Sequence, residues 1–295
     1  MFGAAPPRDW ALPLHLRQTI SSQLDADRFD YLLRDSHYTG VDYGTFDSHW
    51  LLEHLYVDEY RGVYVSQKAR DALETYVFAR YHMYHAVYYH KATRAGEVML
   101  RLLLETYTKA LEAAETDEAK EAVVPGAPFE VLNAFSSEMS LDQYLQLDDY
   151  VMNVFFRRCA SCDNPVLNEL GAGLLNRRLW KCRDLTHLQP NRLAGLISAV
   201  RLWLRDEGEP DTLFQDDTPG DTPYKPYDPP GRPDEGEAME KLIWLQKPDG
   251  ELGELSGQLG TIDELTERYL LVRYYFPERL RDKLCDFMDD WLSKN

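Results

Sequence analysis

Positive charge is scarce in this sequence: 32 Lys and Arg stand against 50 Asp and Glu, for a formal net charge of −18 at pH 7. A polyanion is held through clustered cations, so a broad nucleic-acid-binding face is not expected, while one local basic pocket for a small anion remains open. Cysteine is scarce too. Cys159, Cys162, Cys182 and Cys285 are too few and too scattered for a disulfide scaffold. Cys159 and Cys162 form C-A-S-C, but a structural zinc site takes four ligands and no second C-x-x-C follows, so ordinary buried thiols are expected. No apolar run approaches the roughly 18 residues of a membrane span. The opening MFGAAPPRDW lacks the basic-then-apolar order of a signal segment. A reducing cytoplasm is the expected location. Gly-rich phosphate loops, a G-x-S-x-G elbow and H-E-x-x-H are all missing.

What is present is a core-forming composition. Hydrophobic residues make up 44% of 295 positions and aromatics 12%, with 19 Tyr among them, too rich for a chain disordered throughout. Helical spacing runs from about Leu14 to Arg34, with a Gly-bearing loop expected at 36–46 and a further helix from Ser48 to about Tyr56. From Gln67 to about Ala114 the chain lacks Pro, and apolar residues recur at three and four positions (Leu73, Tyr76, Val77, Tyr84, Val87, Tyr88), which predicts one or two packed helices. Residues 115–129 read as a loop. Ser140 predicts a helix start, and helices are expected at 141–159, 164–180 and 190–205.

Composition changes at 206–236, an acidic Pro/Gly-rich tract that reads as an exposed linker. Beyond it, 241–246 and 269–276 read as strands separated by a Pro-Asp-Gly turn, and Pro277 opens a helix through Trp291. The expected organisation is a helical body at 1–205, the linker, and a small α+β unit at 237–295.

Two stretches carry candidate chemistry. In S-S-Q-L-D-A-D-R-F-D-Y-L-L-R-D (21–35), Asp27, Tyr31, Arg34 and Asp35 share one helix face. Carboxylates can ligate a divalent metal and Arg suits bidentate phosphate contact. A solvated amphipathic helix with i,i+4 ion pairs fits the same spacing. In F-A-R-Y-H-M-Y-H-A-V-Y-Y-H-K (78–91), Arg80, Tyr84, Tyr88 and Lys91 share a face that could hold phosphate and stack a base; a tyrosine-rich core helix fits equally. His82, His85 and His90 are too poorly aligned to form a metal site by themselves.

Taken in order, these stretches resemble HD-domain phosphohydrolases of the deoxynucleoside-triphosphate (dNTP) triphosphohydrolase type. The match is strongest at Q-L-D-A-D-R-F-D-Y-L-L-R-D (23–35), followed by Tyr38-Thr39-Gly40 and Tyr43-Gly44. It continues through 79–91, Y-L-Q-L-D-D (144–149), L-L-N-R-R-L-W-K (174–181), Y-K-P-Y (224–227), E-L-S (254–256) and R-Y-Y-F-P (273–277). The resemblance implies a mainly α HD-like helical bundle with a small C-terminal α+β part. It implies that Asp27 is the final aspartate of the H…HD…D metal set. Arg28 and Arg80 would contact phosphates, Tyr31 and Asp35 the deoxyribose, with Asp35 accepting from the 3′-hydroxyl. Tyr88 would pack on the sugar, with Lys91 near the same pocket. The cofactor implied is a divalent metal (Mn, Mg, Fe or Ni), the ligand a dNTP, and the assembly a homo-oligomer.

The family's first histidine and its His-Asp doublet belong N-terminal to the segment matching 23–35. Only 22 residues precede that segment here, His15 is the single histidine among them, and no His-Asp doublet occurs. No catalytic acid or base is therefore assigned. Three expectations remain open. The first is half of a dNTPase, with the H…HD half on another polypeptide or lost. The second is a nucleotide-binding regulatory or oligomer-forming subunit. The last is a helical interaction module with a vestigial pocket.

Overall fold

A computed structural model describes residues 12–134, 139–221, 242–263 and 269–295. The lead-in at 1–11 and residues 222–236 of the acidic tract, with its Y-K-P-Y, lie outside the described residues. The architecture is mainly helical, with three small sheets. Two compact units emerge, each assembled from separate stretches: 1–89 with 220–270, and 90–219 with 271–295. The sequence-based segments 1–205, 206–236 and 237–295 are consecutive, whereas these units interleave, because strands of the tail pair with strands from earlier in the chain.

In the first unit, the run expected as one helix from Leu14 to Arg34 is two: α1 (Leu14–Ile20) and α2 (Ala26–Thr39). Side chains between them take over backbone donors. Asp25 accepts from the N–H groups of Ser22 (3.1 Å) and Arg28 (2.8 Å), and Ser22 Oγ accepts from Leu24 N–H. Such local bonds compete with helix continuation and cap the next helix. The loop expected at 36–46 starts late: α2 runs to Thr39 and ends on Gly40 in the left-handed region, φ 73°.

The helix expected to reach Tyr56 stops early. Helix α3 (Ser48–Glu53), capped by Asp47, gives way to a hairpin, β1 (Leu55–Asp58) and β2 (Gly62–Val65). Buried Gln18 of α1 fixes the hairpin by accepting from Val63 N–H at 2.7 Å and donating to the Arg61 carbonyl. Helix α4 (Arg70–Met83) then packs Leu73, Tyr76, Val77 and Met83 into a core with Leu32, Leu51 and Val65. One π-helical turn, Tyr84–Tyr88, follows.

The second unit begins with α5 (Lys91–Ala113). Next come α6 (Asp117–Val123), inside the stretch expected as loop, and α7 (Phe129–Asn133). The helix expected over 141–159 is split into α8 (Leu141–Tyr144), with a Ser140–Gln143 capping box, and α9 (Asp149–Cys159). Helix α10 (Pro165–Leu175) lies close to α9, since a Cβ at Gly171 would sit 2.6 Å from Cys159 Cβ. Helix α10 ends short of the expected 180, and strand β3 (Lys181–Asp184) begins just past it, where no element is expected. Helix α11 (Pro190–Asp206) matches its expectation.

The acidic tract opens with order: β4 (Gln215–Asp217) and β5 (Gly220–Asp221). The first tail strand is β6 (Trp244–Gln246). It pairs with β7 (Leu252–Glu254) across the Pro-Asp-Gly turn and runs parallel to β2, giving the order β1-β2-β6-β7. A short helix, α12 (Gly260–Asp263), follows. The strand expected over 269–276 is two, β8 (Tyr269–Leu270) and β9 (Arg273–Phe276). Strand β8 joins β5 in the first unit, and β9 lies between β3 and β4 in the second. The last helix, α13 (Arg281–Lys294), packs Leu284 and Met288 into the second core with Tyr107, Phe155, Leu167, Leu196, Tyr275 and Phe276. No described helix is long and apolar enough to cross a membrane.

Candidate functional site

The packing of α2 with α4 in the first unit brings most of the sequence-selected residues together. Asp25, buried at the head of α2, also faces the Arg28 guanidinium, Oδ2 to Nε 3.6 Å. Arg28 is thus held from its own helix start. Its Nη1 is buried and makes no hydrogen bond among the described residues. Arg80, buried on α4, lies with its guanidinium 5.5 Å from the centre of the Tyr84 ring. The Tyr76 hydroxyl donates to the Gln23 carbonyl at 2.6 Å. Burial pushes its ionisation well above the ordinary tyrosine range, and the positive charges of Arg28 and Arg80 pull the other way. Both guanidinium groups therefore act on the same phenol.

Aromatic rings continue the wall. Tyr31 meets Tyr88 edge-on at 6.0 Å, and Tyr84 meets Tyr88 at 4.9 Å. The Tyr88 hydroxyl donates to Asp35 Oδ2 at 2.6 Å. Burial and then that bond to a carboxylate raise the ionisation of Tyr88. Tyr31 is raised by burial and the neighbouring Tyr84 phenol, with Arg80 opposing. Tyr76, Tyr31 and Tyr88 therefore stay neutral and can donate. The site thus has a cationic end (Arg28, Arg80) and an end where phenols meet one half-buried carboxylate (Tyr31, Tyr88, Asp35). A ligand with an anionic part and a hydroxyl-bearing ring matches both ends.

Other selected residues lie elsewhere. Asp27 is exposed on the first turn of α2. Arg34, expected on the same face, is exposed and pairs with Asp30 at 2.8 Å. Lys91 does not continue the face of Arg80, Tyr84 and Tyr88. The π turn shifts the register, the helix ends at Tyr89, and Lys91 opens α5 in the second unit, where its charge acts on Cys182. His82 packs among Tyr43, Phe78 and Tyr81, and His85 lies near Tyr81. His90 Nδ1 caps α5 by accepting from Ala92 N–H.

Among the described residues, no group of three or more His, Cys, Asp or Glu side chains is placed to hold a metal ion. Asp27 alone does not fit a metal site, because a hydrolytic metal takes several protein ligands. Two contributors were missed in the sequence. Asp25 is visible as a capping residue three positions before Arg28. Tyr76 was noticed only for its apolar spacing.

With this geometry in hand, comparison with known proteins gives a consistent direction. Residues 46–124 match the family described as the HD associated region. The fold matches a phosphohydrolase from Bacteroides thetaiotaomicron with a TM-score of 0.67 and 23% identity, over 90% of this chain and 65% of that one. The likeness to that structure is one of fold. A hypothetical protein from Aquifex aeolicus has the same fold, with a TM-score of 0.60 and 23% identity over 91% of this chain and 58% of that one. In sequence, the uncharacterized protein YwfO of Bacillus subtilis is 31% identical over 270 residues, 90% of this chain and 58% of YwfO. The uncharacterized protein MJ1154 of Methanocaldococcus jannaschii is 40% identical over 85 residues, 28% of this chain and 19% of MJ1154. The chain therefore spans less than two thirds of the length of each of these relatives.

Proposed function

We propose that the α2/α4 site binds a deoxynucleoside triphosphate and serves the conversion of dNTP to deoxynucleoside and triphosphate. The observation that carries this reading is the pairing of two opposite chemistries in one site. Arg28 offers a buried Nη1 with no hydrogen bond among the described residues, Arg80 acts with it on the Tyr76 phenol, and Tyr88 bonds Asp35 in the same unit. Arg28 and Arg80 hold phosphate oxygens. Tyr31 and Tyr88 pack on the sugar, and Asp35 accepts from its 3′-hydroxyl. Asp27 contributes one carboxylate to a divalent metal whose remaining ligands come from the H…HD part, outside these residues.

A second reading has its own support. Asp27 has no metal-binding companions among the described residues, which favours a subunit that binds nucleotide without turning it over. An assay of deoxynucleoside and triphosphate release separates the two. The full chain is incubated with each dNTP and Mn or Mg, alone and with a polypeptide carrying the H…HD part. The first reading expects release only in the mixture, lost in Asp27→Ala. Binding without release in any mixture leaves the regulatory reading. Release by the chain alone, unaffected in Asp27→Ala, contradicts both.

A further inference from the structure

Apart from that site, α5, α6 and α7 of the second unit line a pocket of about 360 Å³. Its shape follows from a short stretch of sequence. Pro125 stops α6, Gly126 turns in the left-handed region at φ 72°, and Ala127 N–H donates to the Val124 carbonyl at 3.0 Å. Pro followed by a left-handed Gly is the pattern of a tight reversal. The chain doubles back there and leaves a hollow against Tyr107 of α5. The floor is apolar and uncharged. Tyr107 and Val124 are buried and Leu132 is half-buried; burial, with the neighbouring Cys159 adding, pushes the Tyr107 phenol up to about 12. The Phe129 ring on the rim stays 60% exposed.

Cations stand at its edge. Lys120 lines the pocket, and its partner Asp117 is 3.7 Å away with a side chain 98% exposed, an ion pair of little strength in water. Arg158 of α9 lies against the turn: a Cβ on Gly126 would sit 3.3 Å from its guanidinium, which makes no ion pair among the described residues. Glu121 is the opposing charge in the lining. We propose that this pocket binds a small carboxylate with an apolar body. The body lies on Tyr107, Val124 and Leu132 under the Phe129 ring, and the carboxylate points to Lys120 and Arg158. Mostly apolar walls with a few polar groups that fix orientation are what small-molecule sites present, and this volume falls near the low end of their range. A planar carboxylate matches the guanidinium fork. In a chain of net charge −18, two cations beside an apolar hollow favour an anion there over a neutral ligand of the same shape. A triphosphate does not suit the pocket, whose walls offer apolar surface rather than a row of donors.

Isothermal titration of the full chain with phenylbutyrate, and with its neutral amide, tests this. The expected result is saturable binding of the carboxylate, with the amide about tenfold weaker for want of a charge-assisted bond. Lys120→Glu reverses one charge at the edge and is expected to weaken the carboxylate by about tenfold or more and to leave the amide unchanged. Ala127→Trp fills the hollow and is expected to abolish binding of both. Thermal melts report whether that variant still folds. Phe129→Ala, on the exposed rim, provides a second test of the apolar contact and is expected to weaken both probes several-fold. A wild-type chain that shows no saturable binding overturns the proposal. So does an amide that binds as well as the carboxylate, or carboxylate binding that a folded Ala127→Trp or Phe129→Ala leaves unchanged.

Discussion

Arg28 illustrates how a single side chain is prepared for work. Asp25 holds its backbone N–H and faces its Nε, while Nη1 stays buried and hydrogen-bonds to nothing among the described residues. A buried donor left without a partner costs about 1–3 kcal/mol. A phosphate oxygen there would remove that cost. The phenols around it carry a different consequence. Tyr31, Tyr76 and Tyr88 all ionise above the ordinary value of 10.0, with burial the largest cause. In the unfolded chain they lose protons near the ordinary value, so the stability they contribute is complete below about pH 10 and is lost as pH rises towards the folded values. Thermal melts between pH 8 and 11.5 should fall steeply above about pH 10, and less steeply in Tyr88→Phe. The thiols give a simpler outcome. Burial pushes Cys159 up to about 12, and Cys162 is buried and raised as well. A disulfide-exchange reagent at pH 8 should leave both untouched in the native protein and react with all four cysteines once it is unfolded.

At the scale of elements, helices were legible wherever apolar spacing was regular, as over 67–114 and 190–205. What the sequence hid were decisions made by side chains and distant partners. The helix run at 14–34 breaks because Ser22 and Asp25 bind backbone donors, a competition that apolar spacing does not register. Strands β1 and β2 are four residues each, and the helical start at Ser48 masked them. The 269–276 run has one continuous apolar pattern, yet its halves join different sheets. The Arg28–Tyr31–Asp35 and Arg80–Tyr88 groups could be selected from spacing and resemblance. That Lys91 leaves the helix of Arg80 could not, because the π turn has no signature in a 3.6-residue period. The cap at Asp25 can be tested directly. Asp25→Ala removes the cap of α2 and the partner of Arg28, and should cost about 1–2 kcal/mol in a urea titration. Asp25→Asn should recover most of that loss.

Across the whole molecule, an acidic chain concentrates a few cations in one place. The candidate site draws on α2 and α4 within a single compact unit, and the HD-associated region at 46–124 runs from that unit into the next. With a net charge of −18, affinity for an anionic nucleotide has to come from local groups, so removing one of them should be felt strongly. Isothermal titration of the full chain with a dNTP tests the central claim most directly, comparing wild type with Arg80→Lys and Asp35→Asn. Each variant nearly preserves shape while altering one end of the site. A charge-assisted hydrogen bond contributes about 1.5–3 kcal/mol, which corresponds to roughly 10- to 100-fold in affinity. The account predicts saturable binding at one site per chain, weakened by about that factor in each variant. No binding by the wild type, or equal binding by all three, would contradict it.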